Sequence, residues 1–182
     1  MRVLLQRAAS GSVRIHGECV GSIGEGLVLL IGVTHTDTAD DVDYLLKKCV
    51  NLRIFEDENG KMNKSLLDID GEILAVSQFT LYGDCVKGRR PGFDAAAEPV
   101  MAERLYDLFV QKLKEEGVRK VDTGRFGADM LVSIENNGPV TFMLESRGKN
   151  IAFVGGVVPK WLTLADVVGK LCHKKALAKL RR

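Results

Sequence analysis

Two rhythms of hydrophobic and polar positions run along the chain. Val42, Leu45, Leu46, Cys49 and Val50 recur at helical spacing, which gives one apolar stripe and predicts an amphipathic helix. Thr38 stands where an N-cap belongs, and Asp40 and Asp41 fill the first turn, where the helix dipole favours acids. A second helix is predicted over residues 99–116 on the stripe Met101, Leu105, Leu108, Phe109 and Leu113, with Pro99 near its first position and Gly117 as its stop. The other rhythm is strand-like. VLLQRA near the start, SVRI with Val13 and Ile15 alternating, EILAVSQF, MLVSIE and VTFML all read as strands. GLVLLIGV is continuously apolar, as a strand covered on both faces would be. Strands and helices without a regular βαβ repeat predict an α+β domain with a mixed or largely antiparallel sheet and two main helices.

Composition narrows the class. With 182 residues, 46% of them hydrophobic, the chain has material for a sizeable core, so disorder and a disulfide-stapled miniature fold are both excluded. The longest apolar run, residues 26–33, is far short of the roughly 20 residues that cross a bilayer. Arg7 interrupts the N-terminal segment before a secretory apolar region develops, so a cytoplasmic, non-membrane protein is expected. Cys19, Cys49, Cys85 and Cys172 are scattered, with no C-x-x-C pair and no histidine cluster; His16, His35 and His173 lie apart as well. No metal or other cofactor is called for.

Charge is balanced in total but not in distribution. Residues 147–182 carry nine Lys or Arg against the single acid Asp166, leaving 17 basic and 23 acidic residues in 1–146. This predicts a domain over residues 1–146 and a basic C-terminal extension over 147–182 suited to a polyanion, with short helical spacing at Leu164, Val167, Val168 and Leu171.

Three segments carry candidate chemistry. Ser77, Gln78, Phe79 and Thr80 follow directly on the strand EILAV, where hydroxyls, an amide and freed backbone N–H groups can face a ligand. No His, Lys or acid stands at a spacing that would activate Ser77 or Thr80 as a nucleophile. Asn137, Gly138 and Pro139 read as a turn whose X-Pro bond tolerates the cis form at about 0.5–1 kcal/mol. Lys87, Arg89 and Arg90 sit in a glycine-bearing basic loop suited to phosphate.

Together SQFTLYGD (77–84), NGPVT (137–141), KGRRPGF (87–93), NLRIFEDENGKMN (51–63) and GRFGADM (124–130) resemble the D-aminoacyl-tRNA deacylases over residues 1–146. The extension beyond departs from the family's short form. The resemblance implies a homodimer with a β-barrel-like core and a hydrolase that cleaves the ester of D-aminoacyl-tRNA, and of glycine mischarged on tRNA. It also implies a cis Gly138–Pro139 reaching into the partner's pocket, where its carbonyls reject an L-side chain. On the same ground Arg7 supports that dipeptide, with Asn137 and Thr141 flanking it. In such an enzyme backbone N–H groups near Phe79 and Thr80 are expected to hold the oxyanion, Gln78 to orient the adenosine or its ester, and Met130 to line the adenine pocket. Lys87, Arg89 and Arg90 meet the phosphates of the aminoacylated tRNA. A non-catalytic nucleic-acid-binding module with the same fold is the alternative; a small-molecule esterase is disfavoured by the lack of a nucleophile–base pair.

Overall fold

The computed structural model describes residues 1–146 and 152–153. Strand β1 (Arg2–Ile15) leads through β2 (Glu18–Ile23) and β3 (Gly26–Gly32) to helix α1 (Ala39–Asn51). A short hairpin of β4 (Phe55–Glu56) and β5 (Met62–Lys64) then precedes β6 (Glu72–Ser77), a 3₁₀ turn (Phe79–Tyr82) and helix α2 (Pro99–Glu115). β7 (Lys120–Thr123), β8 (Leu131–Glu145) and β9 (Ala152–Phe153) complete the order. The helix expected in the basic extension lies outside the described residues.

β1 organises the molecule. Its first half pairs antiparallel with β3 and its second half with β2, while β8 runs antiparallel along its other side. β3 and β6, and then β6 and β7, pair in parallel, so the main sheet is mixed, in the order β7-β6-β3-β1-β8-β9 with β2 beside β1. β2 returns against β7, where the Ser22 N–H donates to Asp122 Oδ2 at 2.8 Å and Lys120 Nζ donates to the Ser22 carbonyl at 2.6 Å. These contacts draw the sheet towards a closed barrel. The α+β expectation holds.

Alternation divides the apolar residues between two cores. Val3, Leu5, Leu27, Leu29, Ile31 and Ile73 face the helices, whose buried residues complete the larger core. Ala8, Val13, Ile23, Val28, Leu74 and Val76 point the other way into the barrel. β3 is nearly wholly buried, as a strand covered on both faces should be. Helix α1 buries the five predicted residues, and the Asp41 carboxylate accepts from the Thr38 N–H at 2.8 Å and from its hydroxyl at 3.0 Å. Helix α2 is rotated slightly from its predicted stripe: Ala102, Tyr106 and Val110 are buried beside Leu105, Phe109 and Leu113, while Met101 and Leu108 pack at the core's margin. The reason is Tyr106, whose hydroxyl donates to the Ala75 carbonyl on β6 at 2.9 Å. MLVSIE and VTFML, expected as separate strands, are one continuous β8.

Candidate active site

The Gly138–Pro139 segment is built by a mismatch in register. Between Gln6 and Ala8, β1 advances two positions while β8 passes from Thr141 to Asn136, so residues 137–140 are extruded as a bulge. Its peptide bond at Gly138–Pro139 is cis. Arg7 lies beneath it, only 6% exposed. Its Nε donates to the Asn137 carbonyl at 2.9 Å and its Nη1 to the Ile54 carbonyl at 2.6 Å, so one guanidinium ties the bulge to the connection between α1 and β4.

Asn137 takes part through its backbone carbonyl. The side chain that clamps the bulge is Asn136: its Oδ1 accepts from the Val140 N–H at 2.7 Å and its Nδ2 donates to Thr141 Oγ1 at 2.9 Å. Gln6 Nε2 also donates to Thr141 Oγ1, at 3.3 Å. Asn136 was missed because adjacent asparagines are indistinguishable until the bulge decides which one turns inward; the spacing N-x-G-P-x-T was the available signal. A side chain at Gly138 is disfavoured on two grounds. Its φ is +131°, and a Cβ there would stand 2.7 Å from Val140 Cγ2 and 2.9 Å from Arg7 Nη2.

The Ser77–Thr80 segment lies elsewhere on the sheet. β6 ends at Ser77 opposite Ile31, and the Gln78 N–H donates to the Ile31 carbonyl at 2.7 Å, which fixes where the chain turns out of the sheet. The 3₁₀ turn then opens with the N–H groups of Phe79 and Thr80, which have no carbonyl within the turn to bond. Thr80 Oγ1 accepts from Gln78 Nε2 at 2.5 Å, so its partner is an amide and not a base. Burial pushes the neighbouring Tyr82 phenol well above its ordinary pKa, with the Asp37 carboxylate adding to the effect.

Lys87, Arg89 and Arg90 are exposed at the tip of a loop that adjoins this turn. Asp84 and Gly92 close the loop by exchanging N–H to carbonyl bonds at 2.8 and 2.9 Å, and Phe93 meets Phe79 edge-on with centroids 5.0 Å apart. Thr34 and His35 anchor its far side through the carbonyls of Ala95 and Asp94. Met130 is half-buried against the barrel core, and its sulfur lies so close to Gly124 that a Cβ there would be 2.4 Å away.

Within one chain these segments do not converge. Ser77 lies at the level of Val3 and the bulge at the level of Arg7, with β3 and β1 between β6 and β8. By strand geometry the separation is roughly 20 Å. The basic loop and Phe79–Thr80 are together; Gly138 and Pro139 are apart from them.

Known proteins share this arrangement of sequence and fold. A D-aminoacyl-tRNA deacylase of Bacillus cytotoxicus is 58% identical over 147 residues, covering 81% of this chain and all of that protein. One of Bacillus cereus is 57% identical over the same length and coverage. Among solved structures, a c-Myc DNA unwinding element binding protein is 41% identical with a TM-score of 0.78, covering 81% of this chain and 100% of its own. A probable eukaryotic D-amino acid tRNA deacylase, 20% identical with a TM-score of 0.69 over 79% of this chain and 98% of its own, shares the fold. The family model described as D-Tyr-tRNA(Tyr) deacylase matches residues 4–145, and the chain therefore belongs to the D-Tyr-tRNA(Tyr) deacylase family.

Proposed function

We propose that this protein hydrolyses the ester joining a D-amino acid to the terminal ribose of tRNA, in the cytoplasm, as a homodimer whose pockets are each shared by two chains. The observation that carries the shared pocket is the separation just described: the N–H groups of Phe79 and Thr80 and the Gly138–Pro139 bulge meet only if a second copy supplies one of them. A sheet face remains for that copy. Leu4, Leu30 and Met143 are half-buried on the side of β1, β3 and β8 that the helices do not cover.

Water attacks the ester carbonyl carbon, the carbonyl oxygen gathers negative charge, and the C–O bond to the ribose breaks as the ribose oxygen takes up a proton. Open N–H groups at Phe79 and Thr80 are suited to that oxyanion, and one such donor is worth about 2.7–4 kcal/mol in known hydrolases. No side-chain nucleophile is required; the ribose 2′-hydroxyl assists the water. Gln78 and Met130 receive the terminal adenosine, and Lys87, Arg89 and Arg90 meet acceptor-stem phosphates. Pinned from below by Arg7, the Gly138 and Pro139 carbonyls leave room at the α-carbon for hydrogen or a D-side chain, so that glycine also passes and an L-side chain is rejected by contact.

A nucleic-acid-binding module without catalysis is the second reading, favoured by the likeness to a protein named for DNA binding. One assay separates them. Incubated with D-Tyr-tRNA and L-Tyr-tRNA, the deacylase cleaves the D-ester alone; cleavage of neither supports the binding module, and cleavage of both overturns the chiral wall.

A further inference from the structure

Arg2 opens β1, on the same strand as the mid-strand Arg7, and its side chain converges on the 3₁₀ turn. Nη1 donates to the Leu81 carbonyl at 2.7 Å, Nε donates to Glu145 Oε1 at 2.6 Å, and the guanidinium lies 4.5 Å from the centroid of the Tyr82 ring. Beneath the same turn is Gly32, the residue opposite Arg2 on β3. A Cβ on Gly32 would stand 3.0 Å from the Gln78 carbonyl oxygen, 3.1 Å from Leu81 Cβ and 3.3 Å from the Tyr82 ring. The turn is thus seated on bare backbone and held by a cation.

The chemistry of a short turn makes this contact directional. A 3₁₀ turn leaves N–H groups open at its start and carbonyls open at its end. The Thr80 carbonyl is taken by the Gly83 N–H at 2.9 Å, and the next carbonyl, that of Leu81, is taken by Arg2. A planar fork with two fixed acceptors on different elements resists rotation in a way that a single ammonium cannot.

We infer that Arg2 is a positioning residue for hydrolysis: by capping the Leu81 carbonyl and bracing it against Glu145 on β8, it aims the N–H groups of Phe79 and Thr80 at the ester carbonyl. The inference rests on the reading of those N–H groups as the oxyanion donors. Arg2 touches no reacting atom; it acts through the turn.

The test is single-turnover cleavage of D-Tyr-tRNA by the full chain, by Arg2→Met, Arg2→Lys and Glu145→Gln, and by the variant that combines Arg2→Met with Glu145→Gln. Met keeps the aliphatic stem and removes the fork. The maximal rate of Arg2→Met is expected to fall between about tenfold and a hundredfold, the range that a small misplacement of catalytic groups produces, while the half-saturating tRNA concentration changes less than about twofold. Arg2→Lys, which retains one donor to Leu81, recovers part of the loss, and Glu145→Gln adds little to Arg2→Met because both release the same turn. A maximal rate within about twofold of the unsubstituted protein, whatever happens to the melting temperature, overturns the inference. Should Arg2→Met not fold, Arg2→Lys and Glu145→Gln carry the same comparison, and unchanged maximal rates in both overturn it. Failure of the unsubstituted protein to cleave D-Tyr-tRNA sinks the underlying reading instead, so the two failures are distinct.

Discussion

Gly138→Ala adds one methyl group at the most constrained point of the bulge. An L-residue with a side chain held at φ +131° costs about 1–3 kcal/mol. The new Cβ also meets two neighbours inside 3.0 Å, at 2.7 Å and 2.9 Å. Val140 can swing away at about 0.5–1.5 kcal/mol for an off-rotamer side chain. Arg7 cannot: its guanidinium is fixed by the carbonyls of Asn137 and Ile54, and moving it gives up part of a charge-assisted bond worth about 1.5–3 kcal/mol. These effects partly relieve one another, and a destabilisation of about 2–5 kcal/mol follows. For a protein of this length each kcal/mol lowers the melting temperature by about 2–4 °C, so the fall should be about 4–20 °C. Scanning calorimetry reads it, and D-Tyr-tRNA cleavage should fall in parallel at temperatures where the variant remains folded. A melting temperature within about 1 °C of the unsubstituted protein, with cleavage intact, refutes the claim that Arg7 and Val140 close tightly on Gly138.

Three other outcomes are expected. Thr80→Ala and Ser77→Ala each retain single-turnover cleavage within about tenfold, because in the proposed mechanism the oxyanion is met by backbone N–H groups; trapping an acyl group on Thr80 refutes this. Replacing Lys87, Arg89 and Arg90 together by Ala raises KM and flattens its salt dependence by about two to three units of log–log slope, read from KM at several salt concentrations; an unaltered slope removes the loop from phosphate binding. Glu72 is held below its ordinary value of 4.5 by the Gly24 N–H and by Arg119, against the opposing effect of burial. A depressed carboxylate stabilises the fold above its ordinary value, and that contribution is lost as pH falls through the folded value. Glu72→Gln should therefore lower the melting temperature near neutrality and converge with the unsubstituted protein in acid; a pH-independent difference speaks against the ionised pairing.

How far the sequence was legible depends on the distance over which each feature is decided. Helix α1 follows from residues within two turns of one another, and Val42, Leu45, Leu46, Cys49 and Val50 are all buried. The face of α2 turns on a contact from Tyr106 to Ala75, 31 residues away, which no local period records. Arg7 shares strand parity with Val3 and Leu5, so its inward direction was readable, yet its two acceptors lie 130 and 47 residues distant. Gly-Pro normally breaks a strand; only the pairing with β1 shows that β8 continues through it as a bulge. The same pairing assigns the clamp to Asn136 and leaves Asn137 its carbonyl. The motifs SQ-x-T and N-x-GP-x-T identified the relevant segments, and the resemblance they carry implied that the dipeptide serves the partner's pocket; how far apart a single chain keeps the two segments follows only from the strand pairing.

That separation along β1 has a consequence for inheritance of defects. In the paired arrangement proposed above, each chain donates half of two pockets, so damage at Gly138 is felt by the sister molecule's substrate while the damaged chain's own ester-holding turn stays serviceable. Harm and its location are thereby uncoupled, and a faulty copy impairs a healthy companion in proportion to how often the two associate.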